Sequence, residues 1–499
     1  MALAYRKIPL NAPVDAAYDA VVIGAGVGGL VCANLLAKQG LKTLLLEQHY
    51  LVGGYCSTFR RKGFTFDAAS HFYPLLGNPE TATGRLIREL GVDMEWVKMD
   101  PVDYFHFPDG TRFAAAASRD AYLASIKELF PHENEAIDRF FQLTSRAYRY
   151  GLIGYFKRRE LVQLQKLEAL SVREVLDQHF SDRKLKLLLT GDCPHWGGSP
   201  CETSFVFDSM LRESYFLGNY YPKGGSQVFA DGLAKAFADL GGDIALQSRA
   251  LRIVSKAGRV EGVEVSRGSG DGERVFHVQA SEVVYNGDLK RAFNHLLDPS
   301  VRHGEWSTLV ENMSTTYPCY LMHMGLKGIS RDRLERIHGY HWENWDSDRL
   351  LDGSFCFKLF VPTLYDPGIA PEGCHVLIVQ KVWRRLAGPS GDRDEDRKRY
   401  EAYVLKHLRN LLPEMNDDTV VVQLSATGGT SERYTWNSGG AMLGWKMSPE
   451  QVGRLRPRIE SPLAGLHFAG HWTQPGGGIT PVIVSAVLAA ESIGAEETE

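Results

Sequence analysis

The chain has 499 residues, 44% hydrophobic and 23% charged, with a formal net charge of −4. That length exceeds what one compact core normally organises, so two packed domains are expected. The ordinary composition excludes a disordered or collagen-like chain, and the slightly acidic balance offers nothing to nucleic acid.

In chain order, the N-terminal MALAYRKIPLNAPVDAAYD lacks the apolar core of a signal peptide. Residues 19–47, DAVVIGAGVGGLVCANLLAKQGLKTLLLE, then read as strand, glycine turn, helix, second strand and terminal acid. This is the order of a dinucleotide-binding βαβ unit. Gly24 permits the tight turn, Gly26 lets backbone approach a pyrophosphate, and Gly29 lets the helix pack closely on the sheet. Gly28 lies in the same turn, and the free N–H groups of the helix start face the phosphates. Glu47 stands where a carboxylate accepts hydrogen bonds from ribose hydroxyls. Gly53-Gly54 follow, and Phe64 to Asp67 alternate like a short strand.

From about Pro101 to Asn219 the pattern is helical, interrupted by GDCPHWGGSP. YPKGGSQVFADGLAKAFADLGGDIAL, from Tyr221, predicts an amphipathic helix and a strand. Residues 250–266 predict a hairpin turning at Ala257-Gly258, and VVYNGD at 283–288 a strand re-entering the parallel sheet. YPCYLMHMGLKG, GSFCFKLFVP and HVLIVQKVW are strand-like and predict a mixed sheet, followed by a charged connection at 384–401. Residues 465–493 repeat strand, glycine turn and buried helix. No window reaches the ~18–20 apolar residues of a membrane span, so membrane contact is expected to be peripheral.

The seven cysteines form no Cys-x-x-Cys pair and read as reduced thiols of a cytoplasmic or stromal-type compartment, not as a disulfide frame or zinc site. Cys193 and His195 beside Cys201 have no second ligand pair, and no metal is expected.

The opening motif does not separate NAD from FAD. Two features favour FAD: Gly53-Gly54, where bare backbone can pass an extended cofactor, and the turn at Pro475 to Gly478, whose helix start can face the flavin. Together GAGVGGL, LLLEQHYLVGGYCSTFRRKGFTFDAASH, YPKGGSQVFADGLAKAFADLGGDI and FAGHWTQPGGGITP resemble the bacterial-type phytoene desaturase superfamily. EQH, GG-x-C-x-TF and FD-x-x-x-H are closest to its branch of carotenoid cis–trans isomerases and retinol saturases.

The resemblance implies an α/β fold. A discontinuous Rossmann-like FAD-binding domain (15–100, 221–295 and 456–499) carries an inserted α+β, mixed-sheet substrate domain (101–220 and 296–455). It implies FAD on Gly24, Gly26, Gly29, Glu47, Gly53 and Gly54, with the Leu251 backbone at adenine and Gly470, Gly478 and Ile479 in the C-terminal signature. His471 and Trp472 depart from that signature, which commonly has an acid or small residues there. It implies a polyene substrate lying along the flavin.

Flavin carries out the hard step, so no triad or metal set is needed. His71, His471 and Trp472 are the catalytic candidates, each histidine weighed against simply satisfying a local hydrogen bond. Tyr434 and Trp436 read first as aromatic packing and second as tunnel lining, and Cys56 as packing. Residues 148–170, with Lys157, Arg158 and Arg159, read equally as a solvated helix face or a site on an anionic membrane. The function expected is desaturation, isomerisation or saturation of polyene C=C bonds, with a quinone or oxygen as electron acceptor. The rivals are a flavin amine oxidase and a non-catalytic prenyl-binding escort protein.

Overall fold

The computed structural model describes residues 4–496 apart from 192, 194–197, 269, 303, 348–355 and 383–392. His195, half of GDCPHWGGSP and the first half of the 384–401 connection therefore lie outside the described residues.

The run Ala20 to Ile23 has no polar side chain to turn outward, so its strand needs cover on both faces. Strand Ala17–Ile23 accordingly lies mid-sheet, parallel to Thr43–Leu46 on one side and to the C-terminal half of Arg274–Tyr285 on the other. Asp243–Ala245 and Leu466–Phe468 extend the parallel array at its two edges. Side chains alternate between two cores. Ala20 and Val22 meet helices Val27–Lys38, Ser226–Asp239 and Ile479–Glu496, while Val21 and Ile23 meet a second cluster containing Trp445 and Trp472. The predicted hairpin is present as Ser248–Lys256 and Arg259–Arg267, antiparallel to the N-terminal half of Arg274–Tyr285. Ala257 and Gly258 have φ of 49° and 80°, the paired positive values that match a two-residue turn to strand twist.

The second sheet runs in the order Val420–Ala426, Cys319–Lys327, Cys374–Val382, Cys356–Phe360, Gly339–Trp342, Asp103–His106, Arg112–Ala115. All its pairs are antiparallel except Gly339–Trp342 with Asp103–His106, which makes the sheet mixed, as expected. One expectation is corrected. The chain after Pro101 does not become helical at once, because FPDGTRF turns a hairpin whose strands complete this sheet. Helices Arg119–Leu129, Asn134–Gly151, Val172–His179, Arg183–Thr190 and Phe205–Phe216 follow around one apolar core. Strand Cys319–Lys327 is buried on both faces. Tyr320, Met322 and Met324 meet Tyr400, Val404 and Leu408 of helix Arg393–Leu411, while Cys319 and Leu321 meet Phe64 and Phe66.

A buried ion pair pins the hairpin to the sheet. Lys358 Nζ lies 2.6 Å from Asp103 Oδ2, with both side chains 2% exposed, and sits 3.6 Å from the Phe72 ring centroid. Removing one member strands a buried charge, so Lys358→Met is expected to cost about 3–5 kcal/mol. The double replacement Asp103→Leu with Lys358→Met should recover much of that loss, as read from urea-unfolding midpoints.

Candidate functional site

The carboxyl ends of the parallel strands, the second sheet and the helical segment border one cavity of about 680 Å³. Gly24, Gly26, Gly28, Glu47, Gly53, Gly54 and Gly470 line it from the first sheet, and Leu321, His323 and Gln380 from the second. Tyr148, Leu152, Phe156, Phe207, Met210 and Leu211 line a third, apolar arm.

The glycine turn is built around Asn286, a residue that sequence reasoning missed. Its Nδ2 donates to the Gly24 carbonyl at 3.1 Å, and its own N–H donates to Ile23 O at 2.9 Å. Gly24 takes φ 99°. A Cβ at Gly28 would stand 2.6 Å from Asn286 Oδ1, and one at Gly29 would run into the Gly24 carbonyl oxygen. Gly29 does not line the cavity and serves close packing; Gly26 does line it, and a Cβ there would stand 3.3 Å from Asn286 Nδ2. The only clue to Asn286 was its place, a polar residue just past an apolar parallel strand at the sheet's carboxyl edge.

Helix Val27–Lys38 begins with Gly26 as N-cap, no side-chain cap and no acid in its first turn. Its first N–H groups are thus left for an anion. Gly53 N–H donates to Ala25 O at 2.7 Å, drawing the second glycine pair against this turn. Glu47 accepts from the N–H groups of Ala25 and His49, each at 2.8 Å, which holds the carboxyl at the cavity wall. Burial pushes its pKa up, and those N–H groups pull it back. Ser248, Arg249 and Ala250 also line the wall, but Leu251 does not. That expectation is corrected: the hairpin register breaks between Ala250 and Arg252, so the chain contacts the cavity before Leu251.

At the C-terminal turn His471, Pro475, Gly477, Gly478 and Ile479 line the cavity. Trp472 does not, a second correction: its side chain is 1% exposed and packs edge-on to Trp445 at 4.7 Å. His471 Nε2 lies 3.3 Å from Asn437 Oδ1. Its pKa is held down at about 3, chiefly by burial and then by the Arg456 guanidinium, so the ring is neutral at ordinary pH. His71 lines the cavity, stacked on Phe360 at 4.3 Å with Nδ1 at 3.0 Å from Ala69 O. Tyr434 and Trp436 line the wall, the less favoured of their two readings, and so does Cys56. From 148–170, Tyr148, Leu152, Tyr155 and Phe156 point into the cavity, and Arg158 pairs with Glu460 at 2.8 Å. None of the seven cysteines is in a disulfide.

Residues 27–494 match the family of flavin containing amine oxidoreductases. The chain belongs to that family. It is 28% identical to prolycopene isomerase 1, chloroplastic, of an Oncidium hybrid cultivar, over 96% of this chain and 84% of the relative. It is 27% identical to carotenoid 3,4-desaturase of Haloarcula japonica, over 95% and 98%. All-trans-retinol 13,14-reductase of Rattus norvegicus is 30% identical over 67% of this chain and 58% of the relative. Among solved structures, putrescine oxidase bound to putrescine superposes with a TM-score of 0.67 at 17% identity, over 97% and 99% of the two chains, and shares the fold.

A flavin carried on a dinucleotide is FAD. The open helix start, the side-chain-free turns at Gly24 to Gly28 and Gly53-Gly54, and the anchored Glu47 fit it, and the chain is an FAD-dependent oxidoreductase. Because Asn286 shapes that cradle, Asn286→Leu is expected to weaken FAD binding about tenfold to a hundredfold, the loss of about 1–3 kcal/mol for a broken buried hydrogen bond. Fluorescence titration of FAD into the deflavinated variant reads this directly; an unchanged Kd excludes the role.

Proposed function

We propose that this oxidoreductase acts on the conjugated C=C bonds of a carotenoid- or retinoid-like polyene. The observation that carries the reading is the apolar arm, which opens from the same cavity as the glycine turns and whose described lining residues, between Tyr148 and Tyr215, carry no charge. The sequence relatives act in the same direction, being carotenoid isomerases and desaturases and retinol reductases by name. When bound, FAD supplies hydride or electron exchange with carbon–carbon bonds.

The chain's own residues position the substrate and keep water out. Leu152, Phe156, Phe207, Met210 and Leu211 form a lining that desolvates a long hydrocarbon along its length. His471 faces the cavity as a neutral ring and puts no charge beside a hydrocarbon. Gly24, Gly26, Gly28, Glu47, Gly53, Gly54, Gly470, Gly478 and Ile479 hold the cofactor, while His71 and His471 flank the substrate. An amine substrate is disfavoured because the cavity's carboxylates are already engaged. Glu47 holds two backbone N–H groups, and Asp288 accepts from Ser438 N at 2.5 Å and Arg291 N at 3.2 Å.

The exposed lining residues Tyr50, Leu424 and Tyr434 mark the mouth, where a polyene transfers from a lipid surface by peripheral contact. No helix among the described residues is long and apolar enough to cross a membrane. A quinone or oxygen accepts the electrons if the reaction is a net oxidation. The purified protein is expected to be yellow and to convert carotenoids or retinol, with products resolved by chromatography under oxidising and reducing conditions. Turnover of amines with peroxide release, and none of polyenes, would replace this reading with an amine oxidase.

A further inference from the structure

The C-terminal turn contains an asparagine whose orientation settles the proton on its neighbour. Trp472 Nε1 donates to Asn437 Oδ1 at 3.0 Å. An indole N–H only donates, so the amide atom facing Trp472 is the oxygen. His471 Nε2 approaches that same oxygen, and only a protonated ring nitrogen bonds there. Asn437 is 6% exposed, and the next residue is tied by its N–H to Asp288, so the amide has little room to swing.

His471 is half-buried and neutral, so a proton on Nε2 leaves a bare lone pair on Nδ1. No hydrogen bond among the described residues uses Nδ1, and it is not one of the buried polar atoms left without a partner. Since the ring lines the cavity, Nδ1 opens into it. Arg456, which donates to the His471 carbonyl at 2.9 Å, and Tyr55, whose ring lies 6.4 Å away, face the imidazole. Burial raises the Tyr55 pKa, so neither group is an anion that would draw a proton onto the ring.

We propose that His471 Nδ1 is a hydrogen-bond acceptor built into the cavity for an N–H or O–H of the bound cofactor or substrate, and that Asn437 is the positioning residue fixing this tautomer. The identity of the donor rests on the FAD and polyene reading; the tautomer does not.

The test is nitrogen NMR of the FAD-loaded protein labelled at its 16 histidines, with the resonance assigned by its loss in His471→Gln. The wild type is expected to show Nε2–H and an unprotonated Nδ1 across about pH 5–8. Asn437→Asp puts a carboxylate against Nε2 and should raise the His471 titration into that window, so an imidazolium signal emerges. Asn437→Leu should release the ring into a mixture of tautomers, and it decides the matter if the aspartate variant does not fold. A hydrogen-bonded Nδ1 shift before any substrate is added identifies the flavin as donor. A shift produced by retinol, which has a hydroxyl, and not by lycopene, which has none, identifies the substrate. Nδ1–H or imidazolium in the wild type, or an Nδ1 shift unmoved in every state, would overturn the proposal.

Discussion

One amide side chain sets the terms for the whole cofactor-facing surface. Asn286 enters the space where the first strand ends and the first helix begins, and its two polar atoms stand against Gly24, Gly28, Gly29 and Gly470. Any side chain at Gly28 or Gly29 would displace it or the turn. The glycines therefore do two things at once: they leave backbone bare toward the cavity, and they make room behind for the residue that braces them. Because Asn286 follows strand Arg274–Tyr285, and Gly470 follows strand Leu466–Phe468, three distant stretches of chain meet at that one amide.

Much of this was legible from local spacing. The βαβ unit and the turn at Ala257-Gly258 depend on residues close together in sequence, and the apolar run of VVYNGD marks a buried strand whichever strand it pairs with. The rest depended on contacts the spacing does not encode. Asn286 reaches a carbonyl 262 positions away, and Asn437 an indole 35 positions away. Leu251 was misplaced because a local register break shifts which residue reaches the wall. Trp472 was misplaced because adjacent residues in a turn point apart: His471 faces the cavity while Trp472 turns back against Trp445. The strands at Asp103–His106 and Arg112–Ala115 are short, and their partner Gly339–Trp342 lies far along the chain.

The two faces of strand Cys319–Lys327 show how the second sheet serves the site without supplying polar chemistry. Tyr320, Met322 and Met324 anchor it to helix Arg393–Leu411, so the opposite face, with Leu321 and His323, is presented to the cavity on a rigid backing. His323 bonds through Nε2 to Asp67 O at 2.9 Å, and burial holds its pKa down to about 4. It too meets the cavity as a neutral ring. Uncharged polar groups on stiff supports suit a hydrocarbon ligand, which gains nothing from fixed charge.

The sheet order also bears on how the protein is made. The parallel sheet takes strands from residues 17–46, 243–285 and 466–468, and the mixed sheet from 103–115 and 319–426. The parallel sheet cannot be completed before Leu466–Phe468 is made, whereas the mixed sheet has all its strands by residue 426, and helix Ile479–Glu496 then seals the first core. Unpaired edges and apolar faces must therefore wait, a long-range closure that folds slowly and favours chaperone capture. The cofactor cradle draws Gly24, Asn286 and Gly470 from three separate stretches, so it is complete only once the chain past residue 470 has joined the sheet, and a ligand that binds only that state stabilises the closed fold like a clasp.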